Sequence, residues 1–460
     1  MEEPTPNLLE LEEKTIFDAS KASELIDKFL SSYIHQKEKT IAEETENYPL
    51  PGYMMVPSYI SRLPTGSETG IYLAMGLSGT TLKLTVVKLL SRGETEIEHD
   101  RELKIPDDLK VGTVDNLFDW IALNVKDLEL LVRQINYNFP IRKIGVNEGI
   151  IVAGIGCETT ELIGNNIVEL LQAAFIRKGV KIQIVAIVDD VVGVLVANAY
   201  KDQNTIISAI IDDFRTNAAC ICTSSSIIKE TQSHQRHVPE YMIVNTEWGS
   251  IGTEFLPFIK YDKILSSQHQ KQYNGTSGSR RRPFEQMIAG VYLGELVRLT
   301  IVDYVKVFNL FDGVSPTGMD IPYSFSSLLM SEIESDQSSE KSDSLNALLN
   351  NFEFSKKPSK EDLQTVHRII KSYSRRSAQL FAIAIASLIK LQCPEFPSVE
   401  RNVVVAVDGS IYHNHYEYSN RTSKFLRDFQ NIQKDEKIKL SPIKDGSCTG
   451  AALIAMMYSH

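Results

Sequence analysis

Several short runs in this chain bring together residue types that handle phosphate and protons. Gly76-Leu-Ser-Gly-Thr-Thr-Leu-Lys83 sets a Ser-Gly-Thr turn between two apolar segments, 71–75 and 82–88. Small residues in such a turn let backbone N–H groups approach an anion closely, as phosphate-binding turns do. Asp189-Asp190 follows the apolar run 181–188. A buried strand there would deliver two carboxylates at its C-terminal end, where open α/β sheets place their sites. Asp212-Asp213-Phe214-Arg215-Thr216-Asn217 joins a second pair of apolar runs, and Asp408-Gly409-Ser410 and Asp445-Gly446-Ser447 sit at further strand and helix ends. The first turn lacks one group that phosphoryl transfer uses. Gly76 stands where a carboxylate would hold the metal's water shell.

The elements that must position these residues follow from periodicity. Residues 8–45 show helical spacing (Leu8, Leu9, Leu11, Ile16, Phe17, Leu25, Ile26, Phe29, Leu30), and Pro51, Gly52, Pro57, Pro64 and Gly66 then punctuate an irregular connection. Strands are predicted on both arms of the first turn and at 95–104, then a helix through 117–125, a strand at 144–152 and a helix over 163–177 ended by Gly179. A helix starts at Val191, and 205–211 with 218–223 form a second hairpin that echoes the first. The chain therefore reads as one α/β unit repeated. Residues 331–360 are rich in Ser, Asp, Glu, Asn and Lys and predict a mobile surface insertion. A helix at 378–391, a strand at 403–407 and an Ala-rich helix after Asp445 complete the pattern.

Composition narrows the class. A chain of 460 residues with 43% hydrophobic and 23% charged residues has a core and room for two or three domains, or two lobes sharing a cleft. A net charge of −11 argues against a general nucleic-acid or anionic-membrane binder. The basic run Arg280-Arg281-Arg282 lies among Ser, Gly and Gln and reads as a solvated loop. Five cysteines point to a reducing compartment, and Cys220 and Cys222, on one face of a strand, read as core residues rather than metal ligands. His413-Asn-His415 reads as a polar loop, so no metal site is expected. The N-terminus has neither the charge nor the apolar core of a secretion signal, and Asp189-Asp190 interrupts the longest apolar stretch. A soluble, cytoplasmic protein is expected.

Taken together, these runs resemble the fungal hexokinase and glucokinase family from about Val56 to the C-terminus. The resemblance rests on Pro64-Thr-Gly-Ser-Glu-Thr-Gly70, Val185-Ala-Ile-Val-Asp-Asp-Val-Val-Gly-Val-Leu195, Asn245-Thr-Glu-Trp-Gly-Ser250, the run 284–298, Val405-Ala-Val-Asp-Gly-Ser410 and Asp445-Gly-Ser-Cys-Thr-Gly-Ala-Ala452, in the family's order. It implies an α/β, two-lobed, ribonuclease-H-like fold of the actin and hexokinase type, with mixed sheets and a cleft between the lobes. Residues 1–55 would be a helical segment and connection, 56–211 the small lobe (completed by 444–460), and 212–443 the large lobe. The implied ligands are a hexose, glucose foremost, with ATP and Mg2+. Asp190 corresponds to the family's base, which takes the proton of the sugar's 6-hydroxyl as the phosphoryl group arrives. Position alone also allows a simple helix N-cap. Asp189, Asn217, Glu247 and Glu285 match sugar-binding positions, since carboxylates accept several hydroxyl bonds at once. Gly79, Thr80, Lys83, Asp408, Gly409, Ser410, Gly446 and Ser447 match the nucleotide side.

The departures carry equal weight. Relative to the family's Asp-x-Gly-Gly-Thr-Asn-x-Arg, the first turn has lost its carboxylate, and Lys83 replaces an arginine that makes planar bidentate phosphate contacts. The second turn, Gly-Thr-Gly-Thr-Asn in the family, reads Asp213-Phe214-Arg215-Thr216-Asn217 here. A carboxylate facing triphosphate oxygens is repulsive by about 1–4 kcal/mol per close charge pair. Arg215 or a bridging magnesium ion could reverse that sign, and the alternative is that Asp213 and Arg215 decorate a solvated turn. The Phe-Ser-Phe-Pro segment that clamps the hexose and the following Thr-Lys pair have no counterpart near 144–154. Asp189 replaces an Asn, so two adjacent carboxylates facing one cleft would favour a bound proton on one of them. Val191 and Val194 replace hydroxyl residues. The expectation is a sugar-binding protein of this family with absent or greatly reduced kinase activity and a regulatory or sensing role, with a possible protein partner. The alternative is an active hexose or amino-sugar kinase of altered specificity.

Overall fold

Two mixed sheets carry the chain, and both are built to one plan. The computed structural model describes residues 3–42, 54–77, 80–110, 113–128, 134–138, 141–151, 164–227, 239–273, 282–392, 402–430 and 437–459. The strands are β1 (Val56–Pro57), β2 (Thr69–Leu77), β3 (Thr81–Leu90), β4 (Thr95–Lys104), β5 (Gln134–Asn138), β6 (Ile141–Lys143), β7 (Gly149–Ile151), β8 (Gln183–Ile187), β9 (Thr205–Ile211), β10 (Thr216–Thr223), β11 (Tyr241–Asn245), β12 (Asn402–Asp408) and β13 (Lys437–Pro442). The first helices are α1 (Leu8–Thr15), α2 (Ala19–Ala42), α3 (Asp107–Lys110), α4 (Val114–Lys126), α5 (Ile167–Lys178), α6 (Asp190–Lys201) and α7 (Lys260–Tyr273). They continue as α8 (Pro283–Ile288), α9 (Gly290–Phe308), α10 (Ser327–Ser335), α11 (Ser342–Asn351), α12 (Lys360–Gln392), α13 (Ser410–Asn414), α14 (Tyr418–Gln430) and α15 (Gly446–Met457).

One sheet has the order β4-β3-β2-β5-β8 and the other β1-β11-β10-β9-β12-β13. In the first, β2 to β4 form an antiparallel meander, and β5 and β8 add in parallel. In the second, β9 to β11 form the meander, and β12 and β13 add in parallel. The repeated unit expected from the two hairpins is therefore present, with β1 as an extra edge. Sequence explains the placement. Every residue of β9 is buried, as is most of β12, and strands covered on both faces read as continuous apolar runs. β4, with Glu, Asp and Arg along it, stays exposed at an edge, where charge discourages further pairing.

Helices exchange between the sheets. α6 leaves β8 but packs on β9, β10 and β12, whereas α15 leaves β13 and packs on β2, β3 and β5. The change of sheet thus falls within α6. β9, expected with the first lobe, is instead central in the six-stranded sheet, bonded to β10 and β12. α6 and α15 touch each other at Gly193 and Gly450. A Cβ on Gly450 would lie 1.8 Å from the Gly193 carbonyl oxygen, and one on Gly193 would lie 2.7 Å from that of Ser447.

The insertion expected at 331–360 is not a mobile one. Ile333, Ala347 and Leu348 are buried in a cluster with α9 and α12. Its polar residues serve as caps and anchors. Asp336 accepts from the Ser344 N–H and hydroxyl, both at 2.9 Å, and Glu334 pairs with Arg421 at 2.7 Å. A polar composition resembles that of a disordered segment here because these side chains satisfy backbone at helix ends. Cys220 and Cys222 are buried in the core, as expected. No helix of the described residues is long and apolar enough to cross a membrane.

Gly450→Val places a branched side chain against backbone that has no rotamer to yield. Overpacking of this kind destabilises by about 1–3 kcal/mol or more. Thermal unfolding should show a clear fall in Tm, whereas Ala451→Val beside it should change Tm little.

Candidate active site

The C-terminal ends of β8, β11 and β12, the β9–β10 turn and the start of α8 converge on one region between the sheets. Asp189 occupies the N-cap position of α6 without making a capping bond, and Asp190 is the first helical residue, so Asp190 is not the N-cap. Asp190 is buried, with its Oδ1 accepting from the Val191 N–H at 2.6 Å. Arg215 Nη1 lies 2.6 Å from Asp190 Oδ2. Asp189 turns to a different cation, with Lys143 Nζ donating to its Oδ2 at 2.6 Å. The two adjacent acids therefore do not face one shared partner. Each has its own positive partner, and Lys143 is almost wholly buried at the end of β6.

The sugar-side residues form a connected network. Asn217 Nδ2 donates to Asn245 Oδ1 at 2.9 Å and to Glu247 Oε1 at 3.2 Å, and Asn245 Nδ2 reaches the same Glu247 oxygen at 3.0 Å. Glu247 holds a left-handed backbone conformation, φ 51° and ψ 37°. A non-glycine residue rarely adopts this, and such departures concentrate at functional sites. Glu285 Oε2 accepts from the Thr216 N–H at 3.2 Å. Arg282 joins the two acids: Nη1 is 3.0 Å from Glu285 Oε2 and Nη2 is 3.4 Å from Glu247 Oε2. Arg282 is therefore not a solvated loop residue, and Arg280 and Arg281 lie outside the described residues. Burial pushes the Glu285 carboxyl up from its ordinary value, with Arg282 and then the Thr216 N–H opposing it. Trp248 is fully buried behind this network, with its indole N–H on Thr216 Oγ1 at 3.0 Å and its ring edge-on to Phe284 and Phe381.

The nucleotide-side residues are engaged by the protein's own carboxylates. Ser410 N–H donates to Asp212 Oδ1 at 2.9 Å, and its hydroxyl donates to Asp213 Oδ2 at 3.0 Å. The Ser327 hydroxyl donates to the other Asp213 oxygen. Asp213 and Arg215 thus pair within the site, although the turn that carries them is exposed at Phe214 and Arg215. Burial raises the Asp212 carboxyl, against the Ser410 N–H and Arg215, while Asp190 and Asp408 raise it further. Asp408 accepts from the N–H groups of Gly409 at 2.8 Å and Gly446 at 3.2 Å, and His413 Nε2 lies 3.2 Å from it. Gly409, at φ 116°, has no room for a Cβ, which would sit 2.1 Å from the Ile211 carbonyl oxygen. Lys83 is paired with Asp445 at 3.2 Å and Asp100 at 3.6 Å. The Ser447 backbone packs against Gly193, Thr80 is exposed at its turn, and Gly79 lies outside the described residues, as does 152–154.

Family models described as hexokinase match residues 7–200 and 208–457. The chain belongs to the hexokinase family. Hexokinase-1 of Schizosaccharomyces pombe is 28% identical over 98% of this chain and 90% of its own length. Hexokinase-2 of Candida albicans is also 28% identical, over 98% of this chain and 93% of its own. A solved hexokinase from Schistosoma mansoni, complexed with glucose, superposes with a TM-score of 0.78 at 25% identity, covering 98% of each chain. This hexokinase-family chain thus has the two-lobed sugar-kinase fold that the sequence runs implied.

Sequence reasoning missed Lys143, Arg282, Asn245 and Ser327. Asn245 stands two residues before Glu247 in a run already singled out. Lys143 and Ser327 are distant in sequence from the acids they meet, and no local pattern marks them.

Thr216→Val leaves the buried Trp248 indole N–H without its acceptor. The expected loss is about 1–3 kcal/mol, read by denaturant unfolding, together with a shift in tryptophan emission.

Proposed function

We propose that this chain binds a hexose, glucose foremost, through Asn217, Glu247 and Glu285 beside Asp189 and Asp190, and that its phosphoryl transfer from ATP is absent or greatly reduced. It would then act as a sugar-responsive regulatory protein whose open or closed lobes are read by a protein partner. The observation that carries this reading is the engagement of Ser410 by Asp212 and Asp213, beside Arg215 on Asp190.

ATP phosphates need N–H, hydroxyl and cationic donors and an acid to organise Mg2+. Here Ser410 and Lys83 already serve carboxylates, and Gly76 supplies no acid. Among the described residues, the donors on this side fit a triphosphate poorly. Arg215 occupies Oδ2 of Asp190, the carboxylate that stands at the family's base position. Loss of a single electrostatic donor typically lowers rate about 10²–10³-fold, and here several are changed together.

One observation favours the alternative of an active hexose or amino-sugar kinase. Arg215 is half-exposed next to Asp190, and a guanidinium so placed could stabilise charge on a transferring phosphoryl group.

A coupled assay across hexoses and amino-sugars with Mg-ATP separates these readings. The expected result is turnover at least about 10²-fold below ordinary enzyme values. Ordinary turnover that Asp190→Ala and Arg215→Ala both abolish would establish the kinase instead. Glucose titration followed by tryptophan fluorescence and calorimetry tests binding itself. Of the 2 tryptophans, Trp248 adjoins Glu247, so a saturable change is expected.

A further inference from the structure

The two glutamates proposed to hold sugar hydroxyls reach the pocket from different elements, Glu247 after β11 and Glu285 on α8. One guanidinium spans them. Arg282 uses separate nitrogens for the two acids, which only a planar fork achieves. These bonds fix one oxygen of each carboxylate. Glu247 Oε1 is fixed by Asn217 and Asn245, while Glu285 Oε1 takes no protein donor among the described residues. Two carboxylates converging in a closed pocket favour a proton on one of them, and a protonated carboxyl offers fewer acceptor sites to hydroxyls.

We propose that Arg282 is a positioning residue of the hexose site, holding the Glu247 and Glu285 carboxylates together and leaving Glu285 Oε1 open to a sugar hydroxyl. This inference rests on the hexose-binding reading above. It assigns a ligand-organising role to the end of a basic run whose composition suggested only solvation.

The charged surroundings set the sign of the test. Glu285 faces Arg282 at the head of its own helix, Glu247 from the β11 loop and Arg215 from the β9–β10 turn, with Asp190 beyond Arg215. Tyr292 of α9 faces Arg282. Burial raises the Glu285 carboxyl, and Arg282 is the first influence opposing it. Without Arg282, ionisation requires higher pH. As pH falls, hexose affinity should therefore be lost earlier in the variant than in the wild type.

Glucose binding is measured by calorimetry from about pH 5 to about pH 9, a range chosen to bracket raised carboxyl values. Arg282→Gln should weaken affinity about ten- to a hundredfold at neutral pH, as expected for losing hydrogen bonds to charged groups, and move the acid limb to higher pH. Arg282→Lys, which keeps the charge but not the fork, should return the acid limb toward wild type with intermediate affinity. An Arg282→Gln protein with unchanged affinity and limb overturns the proposal. So does one that binds weakly with the wild-type limb, because that is a merely structural effect. Wild-type protein that binds no glucose at any pH overturns the hexose-binding reading, and this one with it.

Discussion

Helices α6 and α15 cross with backbone against backbone at Gly193 and Gly450, and the rest of the architecture is arranged around that contact. Each helix leaves the last parallel strand of one sheet and packs on the other sheet, so the crossing is where the two halves of the molecule are joined. Any side chain at Gly450 would collide with the Gly193 carbonyl, which sets a short limit on the interaxial distance. The same contact fixes the site. Asp190 begins α6 and Gly446 begins α15, so the position of both helix starts, and of Asp408 between them, depends on how closely the helices approach.

Around those helix starts the protein answers negative charge with its own donors. Asp190 has Arg215, Asp189 has Lys143, Asp212 and Asp213 have Ser410, and Glu247 and Glu285 share Arg282. A buried carboxylate requires such partners, because an unpaired charge in low dielectric is strongly unfavourable. Among the described residues, the Ser410 N–H and hydroxyl and the Lys83 ammonium already face carboxylates rather than solvent alone. The sugar side differs, because a neutral hexose brings hydroxyls that add to an existing network instead of replacing it.

Trp248 and Glu247 connect this pocket to the core. The indole fills space between Phe284 and Phe381, and its N–H bonds to Thr216, whose own backbone N–H holds Glu285. Adjacent to it, Glu247 stays in a left-handed conformation that the surrounding bonds from Asn217 and Asn245 over-determine. Core packing and site geometry are therefore one structure here, so a change in either is transmitted through few atoms.

By itself the sequence determined the repeated α/β unit, because buried parallel strands such as β9 and β12 leave continuous apolar runs that periodicity exposes. It also determined which acids lie at strand ends, since Asp190 and Asp408 follow such runs directly. Charge pairing was decided only by the tertiary structure. Arg282 looked like part of a solvated basic run, Arg215 like a turn residue and residues 331–360 like a mobile insertion, because composition records residue types but not their partners. The pairs Lys143–Asp189 and Lys83–Asp445 join segments far apart in the chain. Such contacts form between side chains that only the folded sheets bring within a few ångströms, and Coulomb interactions at that range leave no local sequence pattern.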